Sequence, residues 1–123
     1  MKKTGYLNYK ELKEIKFKFL GKNCKISRLA SFVKPENISI MDNVRIDDFC
    51  LLVAFNGFIK IGKNTHVGGL SYIQGWAGVS IGIDCNISQA VKIYSKSDNY
   101  KSTKNFQIKK KVVISDNVII GSG

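Results

Sequence analysis

The chain of 123 residues is short of the side chains that most often build reactive centres. It has one histidine, three cysteines and no Cys-x-x-Cys pair, so no metal-ligating set is expected. It also lacks a run of about 18 apolar residues, which excludes a membrane-spanning helix. The opening MKKTGYLNYKELKEIKFKF has no continuous apolar core and does not read as a secretory signal. A cytoplasmic protein without membrane insertion is the expectation. Acidic residues are few, 9 Asp+Glu against 20 Lys+Arg, a formal charge of +11. Such an excess admits nucleic acid, an anionic surface or a phosphorylated ligand as partners. The lysines are spread along the chain, however, so a solvated surface is the plainer reading and no specific nucleic acid is expected. No GxGxxG or GxxxxGK[ST] phosphate loop occurs.

What the chain does have is a repeat. Large apolar residues recur in steps of six at Leu20, Ile26 and Phe32, then at Ile40, Ile46 and Leu52. The same steps run through Ile61, Val67 and Ile73, through Ile81, Ile87 and Ile93, and through Ile114 and Ile120. Four residues after most of these stands a small or β-branched residue, and all three cysteines, Cys24, Cys50 and Cys85, occupy that slot. They are read as core filler rather than as ligands or nucleophiles. A third register, Asn23, Asn43, Asn64, Asp84 and Asn117, supplies residues that tolerate the left-handed backbone of tight turns. Ile38, Ile59, Val79 and Val112 precede four of the starts by two, the alternation of a strand.

Three hexads make one triangular coil, and stacked coils bury what no single coil can. The fold class is therefore all-β, a left-handed parallel β-helix, an exception to the usual right-handed crossover. The repeat spans residues 20–123, interrupted by an outward loop at about 95–111. Residues 1–19 lack hexads. Tyr9, Leu12, Ile15 and Phe19 have helical spacing and predict a short helical cap over the open end of the column. The other end stops partway through a coil, which predicts either a fragment or a neighbouring chain against that edge.

These hexads resemble the hexapeptide-repeat acyltransferases. The segment from Ile81-Gly-Ile-Asp-Cys-Asn-Ile to Ile93-Tyr-Ser, the loop, and Val113-Ile-Ser-Asp-Asn-Val-Ile-Ile-Gly-Ser-Gly resemble the galactoside and maltose O-acetyltransferases and sugar acetyltransferases of surface-polysaccharide synthesis. The resemblance implies a homotrimer with active sites between subunits, acetyl-CoA as co-substrate, and a sugar or nucleotide-sugar hydroxyl or amine as acceptor. In maltose-type members a catalytic histidine stands where this chain has Asp98, and an asparagine-rich stretch falls at Val67–Leu70.

Acyl transfer needs a base at the acceptor and a donor for the thioester oxyanion. His66 is the one side chain whose ordinary pKa lies near neutrality, and is the candidate base. Asp98, on a different side of the coil, would reach it from an adjacent subunit. Tyr72, Trp76, Tyr94 and Tyr100 could stack on a sugar or nucleotide ring, and Lys109, Lys110 and Lys111 could meet coenzyme phosphates. Two other readings stay open: a catalytically silent assembly protein, and an anion-binding module using the lysine-rich loop.

Overall fold

The computed structural model describes residues 5–98 and 107–122; within these, the side chains of residues 96–98 and 107–109 are not described. A short helix, α1 (Tyr9–Ile15), opens it. Asn8 accepts from the Glu11 amide while Glu11 accepts from the Asn8 amide, a reciprocal cap. Leu12 is buried, and Leu7, Ile15 and Phe17 pack against the end of the column. The cap is thus where the spacing placed it, but it ends at Ile15. Phe19 belongs to the first strand and faces outward. Arg28 clamps Glu11 through two hydrogen bonds of 2.6 and 2.8 Å, tying the helix to the first coil.

The strands then follow in threes. The first coil holds β1 (Phe19–Leu20), β2 (Lys25–Ile26) and β3 (Ser31–Val33); the second holds β4 (Ile38–Ile40), β5 (Arg45–Ile46) and β6 (Leu51–Val53). The third holds β7 (Ile59–Ile61), β8 (His66–Val67) and β9 (Tyr72–Gln74); the fourth, β10 (Val79–Ile81), β11 (Asn86–Ile87) and β12 (Lys92–Tyr94). A ribbon of β13 (Lys96–Asp98) and β14 (Gln107–Lys109) follows, and β15 (Val112–Ile114) and β16 (Ile119–Ile120) start a further coil.

Each strand of the coils pairs in parallel with its counterparts one coil away, giving three faces: β1-β4-β7-β10-β15, β2-β5-β8-β11-β16 and β3-β6-β9-β12. The prism of a parallel β-helix is the observed architecture. The hexad residues Ile26, Ile40, Ile46, Leu52, Ile61, Val67, Ile73, Ile81, Ile87 and Ile93 are buried, and Leu20, Phe32, Ile114 and Ile120 are partly buried toward the ends. Cys50 and Cys85 are buried and Cys24 is half-buried among them. Burial pushes the Cys50 thiol up, against a smaller downward pull from backbone hydrogen bonding, as expected for an inert filler.

Corners follow each face. At the first corner Asn23, Asn43, Asn64, Asp84 and Asn117 all adopt φ between 57° and 62°. Their side chains form a ladder: Asn43 Nδ2 donates to Asn64 at 3.1 Å, and Asn64 Nδ2 to Asp84 at 3.0 Å. At the second corner Phe49, Leu70 and Ala90 occupy the same left-handed region. The long insertion differs from a simple outward loop, because its base is an antiparallel ladder, Lys96↔Lys109 to Asp98↔Gln107. Antiparallel pairing lets the two arms satisfy each other's backbone groups away from the prism.

Candidate active site

His66 lies in β8 on the second face, in register with Arg45 of β5 below it and Asn86 of β11 above. Hexad periodicity fixes its orientation, because Val67 beside it must point to the axis. Its Nε2 is 2.6 Å from Asp47 Oδ2 and 2.9 Å from Arg45 Nη2. Arg45 in turn donates to Asp47, Nε to Oδ1 at 3.0 Å and Nη2 to Oδ2 at 3.3 Å. Burial alone would raise the Asp47 carboxyl. Hydrogen bonds and charge from His66 and Arg45 outweigh it and hold the group below the usual carboxylate range. Asp47 is therefore an anion at neutral pH.

The second corner continues this edge upward. Gly69 stands against Asp47 and Asp48 of the coil below, and Gly68 against Ser88 and Gln89 of the coil above. A Cβ on Gly68 would come within 2.7 Å of the Ser88 carbonyl carbon, so the absence of a side chain lets the two coils stack. A cavity of about 450 Å³ opens here, lined by Tyr6, Asp47, Asp48, Gly69 and Gln89.

The other expected site residues sit elsewhere. Tyr72 and Tyr94 are on the third face, their rings 5.3 Å apart at 61°, a contact of edge type. Trp76 packs on Phe55 at 5.5 Å, at the third corner. Lys111 holds its ammonium 5.4 Å above the Phe58 ring, and Lys110 is exposed. Asp98 ends the outgoing arm of the ribbon beyond the third face; the side chains of Asp98 and Lys109, and all of Tyr100, lie outside the described residues. Within one chain His66 thus meets Asp47, and the tyrosine pair stands on another side of the prism. Asp47 was missed by sequence reasoning; the coil-to-coil step of 21 residues (61 − 40) places Arg45, not Asp47, beneath His66, and Asp47 comes to the ring from the next outward position along the same strand edge.

No family model matches the chain. It superposes on AntD, an N-acyltransferase from Bacillus cereus solved in complex with dTDP and 3-hydroxybutyryl-CoA, with TM-score 0.90 and 32% identity, covering 98% of this chain and 68% of that one. The chain belongs to the hexapeptide-repeat sugar acyltransferases. A variant of AntD in complex with dTDP-4-amino-4,6-dideoxyglucose and Coenzyme A matches this acyltransferase-family chain with TM-score 0.88 and 30% identity, over 97% of this chain and 68% of the other. Among curated proteins, the dTDP-4-amino-4,6-dideoxy-D-glucose acyltransferase of Escherichia coli is 47% identical over 96 residues, 78% of this chain and 50% of that protein. The chain spans about half the length of this curated relative. Among the described residues of this acyltransferase-family chain, no helix is long and apolar enough to cross a membrane.

Proposed function

We propose that the chain transfers an acetyl or related acyl group from an acyl-CoA to the amine of a dTDP-linked 4-amino-4,6-dideoxy sugar. The observation that carries this reading is the 47% identity to an enzyme of that name. AntD, with dTDP sugar and Coenzyme A bound, supports it as a neighbour in structure. An amine acceptor narrows the hydroxyl-or-amine choice left by the sequence. The amine lone pair attacks the thioester carbonyl, the C–N bond forms and the C–S bond breaks. The nitrogen's proton passes to a protein base and then to the departing thiolate, leaving amide and thiol.

His66 is the proposed proton acceptor. Its partner Asp98 would come from an adjacent copy in a homotrimer, because the ribbon leaves the prism on a different side from the second face. Tyr72, Trp76, Tyr94 and Tyr100 are proposed to contact the nucleotide sugar, and Lys109, Lys110 and Lys111 the phosphates of acetyl-CoA. A cytoplasmic site of action and a role in surface-polysaccharide synthesis complete the proposal. A second reading, in which Asp98 itself takes the proton, is favoured by one observation. AntD has been solved with substitutions at a serine and at an aspartate ten positions later, and the spacing Ser-x9-Asp occurs here once, at Ser88 and Asp98.

The test is thiol release from acetyl-CoA with dTDP-4-amino-4,6-dideoxyglucose as acceptor. Turnover is expected, and His66→Ala should lower kcat about 100- to 10,000-fold. Loss of turnover in Asp98→Asn with His66→Ala unaffected would move the base to Asp98. Absence of turnover with the unaltered protein, confirmed folded and trimeric, would overturn the reading.

A further inference from the structure

We propose that Asp47 is a positioning residue that fixes His66 as the Nε2–H tautomer, leaving Nδ1 as the nitrogen that accepts a proton. The inference deepens the assignment of His66 as base and rests on it for its catalytic consequence alone.

Two groups compete for one ring nitrogen. An Arg45 donor at 2.9 Å would require a lone pair on Nε2, and a carboxylate oxygen at 2.6 Å requires a proton there. A bare lone pair facing an anionic oxygen at that distance is repulsive, whereas an N–H donating to it is a short charge-assisted bond. Arg45 does not need the ring, because its Nε and Nη2 already donate to both oxygens of Asp47. Asp47 therefore holds the proton on Nε2, and Arg45 holds Asp47. Asn86, the neighbour on β11, carries no charge. An imidazole with its tautomer set in this way presents one lone pair in one direction, as a general base requires.

This chain has a single histidine, so one imidazole spin system reports the state without ambiguity. In full-length protein labelled with 15N-histidine, above the pH of ring protonation, two-bond 1H–15N correlations should show a protonated Nε2 and a bare Nδ1. Asp47→Asn puts an amide donor against the ring and should move the proton to Nδ1, as an amide swap does in hydrolytic triads. Asp47→Glu keeps a carboxylate and should restore the Nε2–H pattern at least in part. An Nδ1–H ring in the unaltered protein, or no change in Asp47→Asn, overturns the proposal whatever the activity.

The kinetic arm is separate. Asp47→Asn should lower kcat at least 10-fold with little change in KM for acetyl-CoA, and Asp47→Glu should recover part of it. If His66→Ala leaves turnover intact, the base assignment fails while the tautomer result still stands or falls on the spectra.

Discussion

Two corners of the prism share one backbone conformation and fill it with opposite kinds of residue. The first corner uses Asn and Asp, which accept positive φ and link coil to coil through their own amides and carboxylates. The second uses Phe49, Leu70 and Ala90 at φ of 62°, 64° and 57°. Their side chains offer no local hydrogen bond in return. Phe49 and Leu70 are also 60% and 62% exposed, so burial gives little compensation. A non-glycine residue in this region costs about 1–2 kcal/mol. The first corner therefore serves the stack, and the second carries strain next to Asp47, His66 and Ser88. Strain concentrates where structure is held for a purpose other than stability.

The sharpest break of this comparison is steric. A Cβ on Gly62, at the first corner, would fall 2.3 Å from the Gly82 carbonyl oxygen, whereas one on Gly69 meets the Asp48 oxygen at 3.0 Å. Gly62→Ala should destabilise by about 3 kcal/mol and Gly69→Ala by less than about 1 kcal/mol in denaturant titrations. Equal midpoints for the two variants would mean that the closer approach at Gly62 is relieved by movement of the neighbouring coil.

Exchanging residue types tests the strain directly. Asn64→Ala should cost about 1–2 kcal/mol, losing two ladder bonds and a tolerant residue together. Leu70→Asn should instead stabilise by about 1 kcal/mol, a rise of roughly 4 °C in thermal midpoint. A lower midpoint for Leu70→Asn would mean that its side chain packs in a way that outweighs the backbone cost.

The smallest effect lies in the acid limb. The carboxyl of Asp47 is held below its unfolded value, so its stabilisation is present above the ordinary aspartate pKa of about 3.9 and fades as pH falls through the folded value. With Asp47 about 28% exposed, the gain at pH 7 should stay under about 1 kcal/mol. Comparing melting of the unaltered protein with Asp47→Asn from pH 7 to pH 2.5 should show the difference shrinking in acid. A difference that persists at pH 2.5 would assign it to shape rather than charge.

The column was legible because an inward residue has one acceptable chemistry. A polar side chain at Ile46 or Ile87 would be stranded, so six-residue spacing survives in the sequence. The first corner was legible for the same reason, since few residues tolerate its backbone. The outward rows obey no such rule. His66 and Asp47 meet across 19 residues of chain on a face where Lys25, Arg45 and Asn86 are equally acceptable. Nor did any pattern announce Phe49 and Leu70 in left-handed conformation, because apolar residues there contradict local preference. The Lys96↔Lys109 ladder was hidden by its polar composition, which reads as a loop when its partner strand is unknown.

Parallel pairing gives the molecule a built-in ruler. Adjacent strands in a sheet stand about 4.8 Å apart, and every coil advances the chain by that one interval. His66 rides on the third coil, and the ribbon bearing Asp98 departs from the fourth. The level of His66 and the level at which the ribbon leaves the stack are thus graduated in whole coils. Inserting a coil between these two levels would shift them by a full graduation, while substitutions at the corners would leave that interval untouched.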